Sequence, residues 1–143
     1  PPPPPDPPPP PPKKLEVALH AQSKSEVHGW VAGSEITTRG LRNALRERPD
    51  IEHVQIFAPF SYEGLTDRAW DLLVIEGYSG PLQGVIRAVK RRNKECVVLY
   101  WCLDTYPRLS AAALLPVDAY LTNSRQIATY GFHSTLEVLN VTS

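Results

Sequence analysis

The sequence predicts a three-layer α/β sandwich built on a mostly parallel sheet of about six strands. Three observations predict it. Segments of strand character alternate with segments of helical periodicity along residues 15–140. Two central segments, 71–77 (DLLVIEG) and 96–103 (CVVLYWCL), are continuous apolar runs, the pattern of strands buried on both faces. Leu82, Val85, Ile86 and Val89 recur at i, i+3, i+4 and i+7, the stripe of a helix lying against such a sheet.

Residues 15–20 alternate apolar and polar and read as the first strand. Residues 21–33 read as a long loop around His28-Gly29-Trp30-Val31-Ala32-Gly33, with a short strand over 27–32 as the alternative. Ser34 has the chemistry of an N-cap for a helix to about Arg48, stopped by Pro49-Asp50. Residues 51–57 alternate as a strand. Residues 60–70 are turn-rich and too short for a helix with its loops. The buried strand 71–77 follows. Gly80-Pro81 opens a helix that ends in the basic cluster Lys90-Arg91-Arg92-Asn93-Lys94, which complements the helix dipole and faces water. After the strand 96–103, Thr105 and Pro107 start a helix to about Leu115. Residues 117–121 form a strand, Ser124 caps a short helix ending at Gly131, and 136–139 form a last strand. The whole is a Rossmann-like order of elements.

Composition divides the 143-residue chain at its start. Eleven of sixteen prolines lie in the first twelve positions, leaving five for the other 131 residues. A proline run offers almost no N–H donors, so residues 1–14 are expected to form a solvated polyproline II linker or stalk and residues 15–143 the folded domain. The lead is a spacer, or a ligand for an SH3-, WW- or profilin-like partner. The chain has no methionine, even at position 1, and is expected to be a piece of something longer.

Net charge is zero, and near +1 once Asp6 of the lead is set aside. That argues against nucleic-acid and polybasic membrane-surface modules. No run of roughly eighteen apolar residues is present, so no transmembrane segment is expected. Cys96 and Cys102 stand six residues apart in one apolar run. In a strand that is about 20 Å, beyond disulfide reach, and the spacing suits no metal pair. Compartment is left open between a secretory lumen, reached on a stalk, and the cytoplasm. Asn140-Val141-Thr142 is a glycosylation sequon or a chance triplet.

In open parallel sheets ligands bind beyond the carboxyl ends of the strands, near the switch point. That rule selects His20, His28, Gly29, Gly33 and Ser34 after the first strand. It selects Glu76, Gly77 and Tyr78 after the third, Asp104 and Tyr106 after the fourth, and Asn123 and Ser124 after the fifth. The glycine-bounded loop before the helix could bring backbone amides to an anion, or could be a turn with a packing tryptophan. It is neither G-x-G-x-x-G nor a Walker A loop. Glu76 could do acid/base work or bond a neighbouring loop. Asp104 could hold a sugar hydroxyl or cap the next helix. No catalytic residue and no metal ligand can be assigned.

Several stretches resemble the N-terminal half of GT-B fold glycosyltransferases, of family-4-like and CgeB-like type. They are Leu15-Glu16-Val17-Ala18-Leu19-His20 with Gly33 and Arg39-Gly40-Leu41-Arg42-Asn43-Ala44-Leu45; the strand 71–77; the strand 97–103 closing on Asp104; and Asp118-Ala119-Tyr120-Leu121-Thr122-Asn123-Ser124. The resemblance implies an acceptor-side domain, inactive alone. A second Rossmann-like domain of the same protein would be its partner, with a sugar or protein acceptor. The nucleotide-sugar donor would be held mainly by that second domain, and this one would bind no cofactor itself. The rival class is a non-catalytic α/β ligand- or protein-binding module of receiver or flavodoxin type, with a proline-rich docking tail. A receiver would want clustered acids after the first strand and an acceptor aspartate after the central one. The chain offers His20-Ala21-Gln22 and Glu76-Gly77 instead.

Overall fold

The structure is a computed structural model, and it describes residues 1–30, 33–76, 82–102, 115–122 and 137–140. The elements are β1 (Leu15–His20), α1 (Ser25–His28), α2 (Gly33–Arg46), β2 (Ile51–Phe57), β3 (Leu72–Glu76), α3 (Leu82–Arg92), β4 (Val97–Cys102), β5 (Ala119–Thr122) and β6 (Glu137–Asn140). The six strands form one sheet in the order β2-β1-β3-β4-β5-β6, and every pairing is parallel. The predicted α/β class with about six parallel strands is the observed one. The order of the first five strands is that of flavodoxin-like sheets, in which the chain reverses direction between β1 and β3.

Side-chain alternation divides the core in two. Ala18, Leu73, Ile75, Val98, Tyr100 and Tyr120 face one way and pack with Leu82, Val85, Ile86 and Val89 of α3. Val17, Leu19, Val54, Ile56 and Val74 face the other way, under Leu41 and Leu45 of α2. Helices fall on opposite faces because α2 leads from β1 outward to β2, whereas α3 leads from β3 to β4 in the opposite direction. Right-handed crossovers of opposite sense lie on opposite sides of a sheet.

The connection from β2 to β3 crosses β1 without a helix, as its turn-rich sequence predicts. Trp70 and Leu65 fill the space, with Tyr62 packed against them. Trp70 is fully buried, donates its indole N–H to the Leu65 carbonyl at 2.8 Å and meets the Phe57 ring edge-on at 5.6 Å. His53 stacks on it at 5.8 Å, which gives that histidine a packing role.

The amino edge of the sheet is tied by the same device twice. Asp71, just before β3, exchanges hydrogen bonds with Glu16 of β1: its N–H donates to the Glu16 carbonyl and its carboxylate accepts the Glu16 N–H, both at 2.8 Å. Asp118, just before β5, does the same with Val98 of β4, at 2.8 and 2.7 Å. Lys13 and Lys90 each donate to one of these carboxylates at 2.8 Å. Lys90 of the basic cluster is therefore structural, and Arg91 and Arg92 face solvent. Residues 1–14 are exposed along their whole length.

Candidate binding edge

The carboxyl ends of β1 and β3 meet at the switch point, and what stands there follows from where each strand stops. β1 delivers His20, fully buried between the neighbouring strands, its backbone in register with Phe57 of β2 and Ile75 of β3. Its Nε2 lies 2.9 Å from the Tyr62 hydroxyl, and the two rings stack at 5.7 Å. Burial holds the imidazole pKa down at about 4, so it is neutral at physiological pH. Burial also pushes the Tyr62 phenol up, which keeps its proton in place.

β3 ends on Glu76, which is 4% exposed and accepts a hydrogen bond from the Thr38 hydroxyl of α2. A second carboxylate lies in the first turn of α2. Glu35 is buried, accepts from the Ser25 N–H at 2.9 Å and the Ser25 hydroxyl at 3.0 Å, and pairs with Arg39 at 2.7 Å. Burial pushes its carboxyl up, but the bonds from Ser25 and the Arg39 charge together hold it below the usual range. Arg39 reaches on to Glu26 at 3.1 Å and fastens α1 to α2.

Among the described residues, the rim outside these groups carries several large apolar side chains beside the charged Glu26. Val27 and Trp30 are 45% and 55% exposed, Ile36 is 65% exposed and Phe60 is 87% exposed. Phe60 sits at the third position of a tight turn. Ala58 and Ser61 pair across it, Pro59 takes the second position, and Phe60 adopts φ +64°. A type II turn wants glycine there, and a bulky side chain at positive φ is strained. The turn lies against the β1–α1 segment, where Ala21 N–H donates to the Phe57 carbonyl at 2.9 Å and Lys24 Nζ reaches Ser61 Oγ at 3.4 Å.

Among the sequence-predicted residues, His20 and Glu76 are brought together at the switch point, each already engaged by a side chain from another element. Residues 25–28, read as loop or strand, form the short helix α1, which His28 closes. Gly29 ends it at φ +76°, donating to the Ser25 carbonyl at 2.9 Å. α2 begins at Gly33, one residue before the predicted cap at Ser34, and a side chain at position 33 would meet open space. Trp30 is 55% exposed, and residues 31 and 32 of the loop lie outside the described residues. Gly77, Tyr78, Asp104, Tyr106, Asn123 and Ser124, and the helices expected over 105–115 and 124–131, lie outside the described residues. Glu35, Thr38, Tyr62 and Phe60 were missed. For Glu35 a signal existed: an acid in a first helical turn, four residues before an arginine. Tyr62 and Phe60 lie in turns without periodicity and carried none.

Among the described residues no three histidine, cysteine, aspartate or glutamate side chains converge as a metal site would need, and no helix is long and apolar enough to cross a membrane. Cys96 is a free, buried thiol whose pKa burial pushes up to about 11.

No family model and no curated protein matches the chain. Among solved structures it is similar to the isolated receiver (REC) domain of RcsB from Salmonella enterica serovar Typhimurium in the presence of phosphomimetic BeF3-. Identity is 15%, the match covers 84% of this chain and 83% of that one, and the TM-score is 0.50. At that identity the likeness is one of fold. It overturns the expectation of a GT-B glycosyltransferase domain, and with it the acceptor-side role. The stretches that suggested that family, a strand with a glycine-bearing loop and helix and a strand before a capped helix, recur in doubly wound sheets of many functions. The likeness brings no phosphoryl acceptor either: His20 ends β1 with Ala21-Gln22 after it, and Glu76 ends β3.

Proposed function

We propose that this chain is a non-catalytic protein-binding module of flavodoxin-like topology, with a proline-rich tail that docks on a partner. The observation that carries the reading is the contrast at the carboxyl edge. The polar groups at the switch point are turned inward and engaged: His20 with Tyr62, Glu76 with Thr38, Glu35 with Ser25 and Arg39. Among the described residues, the large apolar side chains of Trp30, Ile36 and Phe60 are turned outward, with the charged Glu26 among them. A catalytic base has to reach substrate, and a buried neutral imidazole and a buried hydrogen-bonded carboxylate do not. Large exposed side chains rimmed by polar ones suit a protein surface. Strain retained at Phe60 is consistent with a side chain kept for contact rather than for stability.

The tail supplies the second contact. A polyproline II segment loses little conformational freedom on binding and fits an aromatic-lined groove of SH3, WW or profilin type. A panel of such domains titrated with a peptide of residues 1–14 tests the tail. Saturable binding supports the docking role, and binding by none of them leaves the tail a spacer only.

A further inference from the structure

We propose that the exposed basic end of α3, formed by Arg87, Arg91, Arg92 and Lys94, docks an acidic segment of a partner protein. The protein's cations differ in how they are engaged. Lys13, Arg39, Arg48, Arg68 and Lys90 each hold a carboxylate within 3.2 Å. Arg87, Arg91, Arg92 and Lys94 are all exposed and hold none among the described residues. Glu95 is the one acid in the segment 82–95, and its charge acts on Lys13 across the amino edge. The neighbouring carboxylates are already engaged: Asp71 accepts from Lys13 and the Glu16 N–H, and Asp118 from Lys90 and the Val98 N–H.

Helix stability alone does not account for the cluster. Cations in a last turn complement the helix dipole, and that covers Lys90, Arg91 and Arg92. Arg87 lies a turn earlier and stands at i, i+4 from Arg91, a spacing at which like charges destabilise a helix. Leu82, Val85, Ile86 and Val89 are buried, which sets Arg87 and Arg91 on the outer line of α3. Gly84 lies on that same line, and a Cβ there would meet nothing within 4 Å. A segment lying along the two arginines can therefore approach the helix backbone closely. Charge and length select the occupant. Guanidinium forks take carboxylates through paired hydrogen bonds. From Arg87 to Arg92 the helix rises roughly 8 Å, the length of two or three extended residues, which suits a short run of aspartate or glutamate. The chain's zero net charge gives no long-range pull on a polymer of phosphates. α3 runs back from the carboxyl end of β3 to the start of β4, so this surface lies at the amino edge and is separate from the carboxyl rim.

Fluorescence anisotropy of a fluorescein-labelled octaglutamate peptide, titrated with the full chain at low salt, tests this. Two double variants change the net charge equally: Arg87→Glu with Arg91→Glu on α3, and Arg42→Glu with Arg46→Glu at the same spacing on α2. A milder Arg87→Gln, Arg91→Gln variant and a thermal melt of every chain separate docking from folding. The natural chain is expected to bind the peptide saturably, with affinity falling as salt rises. The charge-reversed α3 variant should lose at least about tenfold in affinity and the α2 variant less than about twofold, with the glutamine variant following the α3 loss. Absence of saturable binding by the natural chain, or an equal loss in both charge-reversed variants, overturns the proposal. Tighter binding of an octathymidylate overturns it as well, because the surface would then suit a nucleic acid. None of these outcomes bears on the carboxyl rim, whose reading stands or falls with variants of Trp30 and Phe60.

Discussion

The Thr38 hydroxyl on α2 donates a hydrogen bond to the buried carboxylate of Glu76 at the end of β3. The bond fastens the helix on one face to the central strand at the switch point. It also turns inward a carboxylate that the fold would otherwise offer to a ligand. Thr38→Val keeps the shape and removes this donor. A buried acceptor that loses a partner costs about 1–3 kcal/mol. The urea midpoint of the variant should fall accordingly with no change in m-value.

His20 gives the fold an acid sensitivity of definite sign. Its pKa is about 4 in the folded state against 6.5 for the free side chain. Between those values the unfolded chain binds a proton that the folded chain refuses. Stability from this residue is therefore intact above the free value and falls as pH drops towards the folded one, by on the order of 3 kcal/mol. Urea titrations across that window should show the loss in the natural chain and a flatter profile in His20→Gln.

At the opposite edge, Asp71 and Asp118 each bridge neighbouring strands through an amide and a lysine. Asp71→Ala should cost about 1–3 kcal/mol, since the Glu16 N–H loses its acceptor. Burial pushes the Asp71 carboxyl up, but the bonds from Lys13 and the Glu16 N–H leave its pKa below the usual value. Its contribution is thus present above the ordinary carboxylate range and lost as pH falls through the lowered folded value. The acid limb of a stability profile should lose that component in Asp71→Ala.

Phe60 separates stability from binding. Its φ of +64° suits glycine, and a bulky residue there costs roughly 1 kcal/mol. Phe60→Gly should raise stability by about that amount in thermal unfolding while weakening any ligand of the rim. Phe60→Ala, which keeps the strained backbone, should weaken the ligand without the gain in stability.

The fold was legible wherever burial imposes a period. The runs around Leu73 and Val98, and the stripe from Leu82 to Val89, led directly to strands buried on both faces and a helix between them. Strand order was not legible in the same way. Which side of β1 each of β2 and β3 takes depends on crossover direction, which residue pattern does not encode, so half of a glycosyltransferase and a receiver-like sheet read alike. Of the candidate site, the switch-point rule reached His20 and Glu76 because both end strands. It could not reach Tyr62 or Phe60, because a connection folded around Trp70 has no period to read. Nor could it tell that the two predicted groups are engaged inside the protein, since Thr38 and Tyr62 are remote from them in sequence.

The central claim, that the carboxyl edge is a rim for binding proteins, is tested most directly by panning a displayed peptide library on the intact chain, with the Trp30→Ser, Phe60→Asn variant as counter-target. The account predicts peptides that bind the natural chain saturably and lose at least about tenfold in affinity on the variant, the loss expected where truncated aromatic anchors cost more than 1 kcal/mol. Peptides that bind both chains equally, or none that bind the natural chain at all, would contradict it.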